Sequence, residues 1–395
     1  MRKNIYLVVA LFVATLNLRP AINSLSPLLD TIRADLGMSA ALASLLTSIP
    51  VLCMGVFSPF AVKVSGRWGI ERMIGYSLVV VGIGISARLF THSTFVLLVS
   101  ALIVGIGIAS IGPLTSGFIK KYFPDHVPSM IALYSIAITV GAAVSSMVSI
   151  PLEEYFNSWQ KAVGGWAVIA FLAAVIWWIM VKPRSESANS ANVGEIQKRP
   201  KIKLPWANRS AWTLTLSFGL MAMLFYAFTA WLPLMIQEMG YSKSYGTLCL
   251  TIFVVIQIPI SFILPVLLKN FPSRRVWMIG ESLFMMVGLI LLMINFIPMV
   301  SVVLFGVGAG GLFTLNLMLP IDSTDNVNDA TSWSAMQQSA GYVIGALGPI
   351  LLGWIHDASN SFTPALIGML AIIILMIMTQ IAATRGTQVR GKNQI

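Results

Sequence analysis

A single arginine stands inside a long apolar run near the start of the chain, directly before a proline. A charge at this depth in a membrane-spanning helix costs at least about 2.5–3.5 kcal/mol. The guanidinium of Arg19 offers five donors and stays protonated, which suits a carboxylate or a similar anion. Pro20 cannot donate to the carbonyl of Leu16 and should loosen the helix there. We predict that Arg19 binds an anionic substrate group; the alternative is that freed carbonyls and Asn17 or Asn23 hold it structurally.

Other polar and aromatic side chains within apolar runs could complete a cavity around this cation. Buried amides are costly in lipid unless they are paired or face water, so several should line a cavity. For each, a hydrogen bond between helices is as good an interpretation as substrate contact. The candidates are Tyr226, Trp231, Gln257, Asn316, Gln337, Gln338 and Tyr342.

Glu281 is the one carboxylate that falls clearly inside an apolar run. It closely follows Arg274 and Arg275, and we interpret it as a structural partner of that basic loop. If no carboxylate neutralises Arg19, a substrate anion is a natural counter-charge.

The composition indicates that these residues lie in membrane-spanning helices. The chain of 395 residues is 57% hydrophobic and 10% charged, with a mean hydropathy of +0.85. Soluble domains carry about 25% charged residues. The apolar runs have the length of about 20 residues that a helix needs to cross the bilayer, whereas a spanning barrel would show alternating segments of about ten. The net charge of +11 lies in short loops, which argues against nucleic-acid binding.

Twelve apolar runs predict an all-α membrane protein. The first run is too long for a signal peptide and lacks a small-residue cleavage site, so we expect a retained helix. The predicted helices cover residues 5–29, 39–62, 72–90, 94–119, 128–150, 162–181, 210–237, 244–268, 275–295, 298–319, 331–354 and 362–383.

Lys and Arg are divided unequally between the two sides that these helices define. Twenty fall on the side of both termini, and four on the other. The four are Arg33, Arg88, Lys161 and Lys243. The positive-inside rule therefore predicts a multi-pass protein of the cytoplasmic (inner) membrane with both termini in the cytoplasm. Residues 182–209, rich in Ser, Asn, Lys and Arg, are predicted as a cytoplasmic linker between six-helix bundles at 1–181 and 210–395.

Short patterns repeat between the two halves at nearly one spacing. Segment 73–78 (MIGYSL) recurs as 278–283 (MIGESL), and 105–107 (GIG) recurs as 306–308 (GVG). Pro27-Leu28 is likewise matched by 233–234 (PL). Because these matches join corresponding helices, they predict two pseudo-symmetric bundles of six helices.

No pattern in the sequence indicates catalysis. Segment 306–311 (GVGAGG) matches a dinucleotide fingerprint by letters alone, but it lies in a predicted transmembrane helix, where small residues allow close packing. The three histidines lack metal-ligand spacing, and Cys53 and Cys249 lie in separate runs. We interpret His356-Asp357 as a cap or loop contact. The sequence predicts no enzyme, no cofactor and no metal site.

Motifs in both halves resemble one transporter family. They are 16–22 (LNLRPAI) with 27–29 (PLL), 32–37 (IRADLG), Phe225-Tyr226 with 231–233 (WLP), and 338–342 (QSAGY) with Gly348-Pro349 and His356-Asp357. With these motifs the chain resembles the cyanate permease and nitroimidazole transporter (CynX/NimT) family of the major facilitator superfamily. The resemblance implies an alternating-access carrier of twelve helices, in which Arg19 looks like the family's first-helix arginine.

Two departures from the superfamily pattern concern gating and coupling. Gly66 stands where an aspartate usually precedes Arg-x-Gly, so Glu71 is a candidate substitute, and Arg67, Glu71 and Arg72 are the predicted gating residues. The fifth helix carries 141–143 (GAA) instead of the Gly-Pro pair common in drug antiporters, which disfavours proton-coupled drug export.

These observations predict a secondary active transporter that holds a small anionic solute near the midplane by Arg19 while two bundles rock. The nearest rival is an efflux carrier of a neutral heteroaromatic compound (nitroimidazole-like), in which Trp231 and Tyr226 stack on the solute and Arg19 is structural. A receptor is disfavoured by the short linker, and a channel by the lack of repeated filter segments. Expected partners are a small-molecule substrate, the lipid bilayer and, as one candidate for coupling, a proton. We expect a monomer without nucleic acid.

Overall fold

The computed structural model describes residues 2–181, 204–324 and 327–384, and these ranges are helical without a β-strand. Within these ranges, twelve candidate spans are long and apolar enough to cross a membrane, which confirms the predicted number and fold class. Most of the predicted linker, 182–203, lies outside the described residues.

The helices of spans 1 to 12 are, in order, Arg2–Leu16 with Pro20–Asn23 and Leu29–Leu36; Ala40–Trp68; Ile70–Ser86; Thr94–Tyr122; Val127–Phe156; Trp159–Gly164 with Trp166–Met180; Arg209–Glu238; Lys243–Val255 with Gln257–Asn270; Arg274–Met293; Pro298–Asp322; Val327–Gly345 with Leu347–Ser359; and Thr363–Thr384.

Span 1 opens at the proline, as its sequence predicts. The first helix ends at Leu16, and helical structure resumes at Pro20 for a single turn. Arg19 stands at the junction, and its carbonyl accepts hydrogen bonds from the N–H groups of Ile22 and Asn23 at 3.0 and 2.9 Å. Arg19 therefore stands at a break between two helical segments and not within a continuous helix.

Span 5 lies unusually close to this opening. A Cβ added at Gly141 would lie 2.1 Å from the carbonyl oxygen of Leu16 and 3.4 Å from Cδ of Pro20. Only glycine permits such an approach of two backbones, since real Cβ contacts are essentially never shorter than 3.0 Å. The 141–143 (GAA) segment thus has a packing function here.

Span 10 uses its glycines in the same way. The helix continues through 306–311 without a break, which confirms the predicted transmembrane helix at this segment. Added Cβ atoms at Gly306, Gly308 and Gly311 would meet Ile256, Met285 and Glu281 at 2.4, 2.5 and 2.4 Å. These glycines allow spans 8 and 9 to pack directly on span 10.

Hydrogen bonds join the two halves of the chain at the end of the bundle opposite to the start of span 1, called the distal side below. Both carboxylate oxygens of Asp357 accept from the backbone N–H groups of Ala40 and Ala41 at 2.7 Å each. This contact confirms the interpretation of Asp357 as a cap: it caps span 2 from the opposite half. Lys243 donates to Glu153 at 2.5 Å and to Thr31 at 2.9 Å. These bonds hold the distal ends together in this structure.

Candidate functional site

Arg19 extends from the opening of span 1 toward span 7 of the other half. Its Nη1 donates to Oη of Tyr226 at 3.5 Å, the long end of the range for a hydrogen bond. Its Cζ lies 5.7 Å from the ring centroid of Tyr226 and 5.8 Å from that of Phe225. Both rings are within cation–π distance, which stabilises a partly desolvated guanidinium.

Aromatic side chains from spans 5 and 11 complete the surroundings of the guanidinium. Tyr342 contacts Tyr226 edge-on, with ring centroids 6.4 Å apart. The hydroxyls of Tyr342 and Tyr134 are both close enough to interact electrostatically with Arg19. We call Arg19, Tyr134, Phe225, Tyr226 and Tyr342 the arginine–aromatic site; it draws residues from both halves.

Arg19 has no carboxylate partner among the residues that the structure describes. With the described residues its side chain makes one hydrogen bond, which leaves most of its five donors unused. A half-buried guanidinium in this state presents a positive charge and a fork of donors to an incoming anion. The site can therefore bind an anion that lies against aromatic rings.

Arg88 is a functional candidate that the sequence analysis did not single out, since it only counted this residue among the basic residues on the side away from the termini. The structure buries it completely, at the end of span 3. Its Nη1 donates to the carbonyl of Ala21 at 2.7 Å, and its Nε to Oγ of Ser100 at 3.2 Å. Ala21 belongs to the single turn that follows Arg19, so Arg88 ties this turn to spans 3 and 4. The sequence did contain a signal for this burial, because Arg88 falls within the predicted helix 72–90.

Replacing Arg88 with methionine should weaken solute binding without removing any group that touches the solute. The carbonyl of Ala21 would lose its partner at a fully buried position, which costs about 1–3 kcal/mol. We expect a raised KM for transport and a lower thermal stability, with partial recovery in Arg88→Lys, which keeps one donor. Unchanged KM in Arg88→Met at equal protein level would contradict this positioning role.

Several predicted site residues lie beside the arginine–aromatic site. Gln338 is exposed and stands one helical turn before Tyr342, on the same face of span 11. Asn23 is buried in the turn after Arg19, and its Oδ1 has no partner in the described part of the chain. Asn17 is also buried, but its amide donates to the carbonyl of Val13 at 2.7 Å, within its own helix.

Other candidates are engaged in packing. Oδ1 of Asn316 accepts from Ser217 at 2.8 Å, and its carbonyl accepts from the amide of Gln337 at 2.9 Å, so these groups connect spans 7, 10 and 11. Gln257 donates to the carbonyl of Phe253 at 2.8 Å. The structure does not bring these amides to Arg19.

Trp231 is likewise separated from the arginine–aromatic site. It is fully buried, and its Nε1 donates to the carbonyl of Pro349 at 3.0 Å. Its ring stacks on His356, which pairs with Glu238, and Cζ of Arg33 lies 5.9 Å from it. Trp231 therefore belongs to the distal contacts between the halves.

The predicted gating residues lie at the opposite end from these contacts. Glu71 is buried and accepts from Oη of Tyr122 at 2.7 Å and from Nζ of Lys121 at 2.9 Å, both at the end of span 4. Arg67 and Arg72 are exposed. Their role in gating stays a prediction.

The expected pairing of Glu281 with its basic loop is wrong. Nε of Arg274 donates instead to Asp322 at 2.8 Å. Glu281 is buried, and its Oε2 has no hydrogen-bond partner among the residues that the structure describes. Arg274 is the first residue of span 9, and its side chain extends toward the end of span 10. It therefore points away from the carboxylate of Glu281, which lies two helical turns later in span 9.

The twelve spans, the opened first span and an intramembrane cation facing the other half define a polytopic membrane carrier. Residues 7–349 match the family model of the Major Facilitator Superfamily. An uncharacterised transporter of Bacillus subtilis, YycB, is 31% identical over 95% of this chain and 92% of its own length. Two Escherichia coli proteins are also similar: a 2-nitroimidazole transporter (29%, 98% of each chain) and the cyanate transport protein CynX (27%, 88% and 89%).

The chain therefore belongs to the major facilitator superfamily, and to the CynX/NimT-like family that its motifs indicate. It is a multi-pass membrane transporter.

Proposed function

We propose that this protein carries a small anion across the cytoplasmic membrane by alternating access, with Arg19 as the cation that holds the anion. The observation that supports this most is the absence of a carboxylate partner for Arg19 among the described residues. A charge at this depth is retained where it has a function. A substrate anion supplies the missing counter-charge on binding.

The position and surroundings of Arg19 also favour a site shared by the two bundles. Arg19 lies near the middle of span 1, which runs over Ile5–Leu36. Its aromatic neighbours come from both halves, so a bound anion would contact both and sense their relative movement. The rings favour a small or flat anion, and cyanate, named in one relative, is of this class.

A second candidate is an efflux carrier of a neutral heteroaromatic compound. Phe225, Tyr226 and Tyr342 form an aromatic surface on which such a ring could stack, and one relative is named a 2-nitroimidazole transporter. In this case Arg19 would be structural. Because Trp231 is packed on the distal side, the stacking surface would be Tyr226 with Phe225 and Tyr342.

Flux measurements on the purified protein in proteoliposomes separate the two candidates. The panel contains cyanate, other small inorganic and carboxylate anions, and neutral heteroaromatics including 2-nitroimidazole. We expect saturable counterflow of an anion that other flat anions inhibit, and no counterflow with protein-free liposomes. Transport of neutral compounds alone would overturn the anion proposal in favour of its rival.

The proposal also covers the orientation of the protein in the membrane, its coupling ion and its oligomeric state. We infer cytoplasmic termini from the positive-inside rule, a monomer as the functional unit, and a proton as the coupling ion to be tested. An imposed pH gradient tests the coupling: it should drive the anion above its equilibrium distribution. No response of the flux would exclude the proton.

Substitution of Asp357 by asparagine should weaken the distal contact between the halves. The carboxylate accepts two backbone N–H groups at the start of span 2, where the helix dipole also favours a negative charge. An asparagine has one carbonyl oxygen and turns an NH₂ group toward the second N–H. We expect spin labels at exposed distal residues Glu154 and Tyr241 to show a larger population of long distances.

Glu238→Gln is the matched control, since Glu238 pairs with His356 inside one half. Its distance distribution should equal that of the parent protein. Equal distributions in Asp357→Asn and the parent would show that this contact does not hold the distal side closed.

A further inference from the structure

On the distal side, spans 2 and 8 begin at positions that the internal repeat relates. Ala40 is the first residue of span 2, and Lys243 is the first residue of span 8. Each helix follows a serine N-cap whose side chain accepts a backbone N–H group. A glycine in the left-handed conformation precedes each start, with φ of +61° at Gly37 and +91° at Gly240. The two glycines are as far apart in the chain as Ala40 and Lys243, so the two helix starts are structural equivalents.

The acidic residues that reach these helix starts are equivalent as well. Glu153 lies close to the end of span 5, and Asp357 lies close to the end of span 11. Each of these spans ends at an asparagine in the left-handed conformation, Asn157 with φ of +48° and Asn360 with φ of +51°. The two acids therefore stand about one turn before the same kind of helix end, in opposite halves of the chain.

Each acid contacts the helix start of the other half, but the chemistry differs. Asp357 accepts two backbone N–H groups at the start of span 2, at 2.7 Å each; we call this contact the 2–11 clasp. Glu153 accepts from Nζ of Lys243 at 2.5 Å, and the same ammonium donates to Thr31 at 2.9 Å; we call this contact the 5–8 clasp. Lys243 and Glu153 are 30% and 16% exposed, so solvent screens their charges only in part.

The spans that carry the two acids also carry tyrosines of the arginine–aromatic site. Tyr134 lies on span 5 and Tyr342 on span 11. Span 5 is one uninterrupted helix, so a rotation of this span at Tyr134 displaces Glu153 as well. A movement of either span at the site therefore moves one of the clasps.

We propose that Lys243 and Glu153 are gating residues, and that the 5–8 clasp and the 2–11 clasp together form the distal gate. The repeat places one clasp on each of two separate seams between the halves. Because the clasps share no residue, their contributions to the closed state add. Both must break before a solute at Arg19 reaches the distal side. This inference rests on the alternating access of the proposed function, but not on the identity of the solute.

Distances between spin labels on the purified protein test the gate without any solute, so the result does not depend on the anion proposal. The labels are placed at the exposed distal residues Glu154 and Tyr241. Lys243→Glu puts two carboxylates into the 5–8 clasp and should raise the ratio of long to short distances about threefold to tenfold. Combining it with Glu153→Lys restores opposite charges and should return the ratio to that of the parent. Lys161→Glu, the same reversal at an exposed distal lysine, is the matched control and should leave the ratio unchanged.

The two-clasp gate makes a further demand on a double variant. Lys243→Glu combined with Asp357→Asn should multiply the two single fold-changes. A double variant no more open than Lys243→Glu alone would show that a single clasp controls the distal side. The parent distribution in Lys243→Glu would overturn the gating role of Lys243, and so would an exchanged pair that stays open. Glu153→Gln, which removes one charge at nearly constant size, repeats the test if a reversal prevents folding.

Discussion

Arg19→Lys is expected to lower the uptake of the transported anion at low concentration by about tenfold to a hundredfold, while leaving the protein folded. A guanidinium fork binds an anion with two parallel donors, and losing one charge-assisted hydrogen bond costs about 1.5–3 kcal/mol. Lysine keeps the positive charge but not the planar fork. The defect should appear mainly as a raised KM. Initial rates of uptake in proteoliposomes over a range of anion concentrations provide the measurement.

Two further variants make this result specific. Arg19→Gln removes the charge and should abolish the preference for anions over neutral compounds. Arg209→Lys makes the same chemical change at an exposed arginine at the start of span 7, and should transport as the parent does. The anion proposal would fail if Arg19→Gln kept both the affinity and the anion preference. Under the heteroaromatic alternative, by contrast, substrate affinity follows Phe225, Tyr226 and Tyr342.

The sequence predicted the features that depend on local chemistry. Apolar runs of sufficient length specified twelve spans, because a helix must satisfy its own backbone in lipid. The missing N–H of Pro20 located the opening after Leu16 for the same reason. Spans 8 and 11 also break shortly before a proline, because the junctions at Ile256 and Ala346 precede Pro259 and Pro349 by three residues each.

Proline alone does not decide where a helix opens. Pro113 and Pro233 lie inside uninterrupted helices of spans 4 and 7. The sequence shows which carbonyl loses its donor, whereas the packing of neighbouring spans determines whether the backbone separates there. In span 1 that neighbour is Gly141, more than a hundred residues away in the chain.

The residues of the arginine–aromatic site were only partly predictable, because they too depend on how the spans pack. Tyr226 and Tyr342 were identified by their type; Tyr226 contacts Arg19 and Tyr342 packs on Tyr226. Trp231 and Asn316 were equally plausible candidates, but they are bonded elsewhere. The direction of a side chain depends on how each helix is rotated in the bundle, a long-range property. Tyr134 carried no polar motif around it, so the sequence offered no signal for its approach to Arg19.

Gly141→Ala should impair transport as severely as a change at Arg19, although it only adds a methyl group. That methyl carbon would lie 2.1 Å from the carbonyl oxygen of Leu16, so spans 1 and 5 would have to separate. Overpacking of this kind costs about 1–3 kcal/mol. The separation would displace Arg19, three residues after Leu16, relative to Tyr134 on span 5. We expect a lower melting temperature and a raised KM together, measured by thermal unfolding in detergent and by uptake in proteoliposomes.

Gly368→Ala supplies the control that isolates the contact from the general effect of replacing a glycine. An added Cβ at Gly368 meets nothing within 4 Å, and alanine favours a helix over glycine by about 1 kcal/mol. This variant should therefore be as stable as the parent or more so, with an unchanged KM. If Gly141→Ala behaved like Gly368→Ala, the close approach of span 5 to the opened first span would have no part in positioning Arg19. If it lost stability but kept its KM, the approach would serve folding alone.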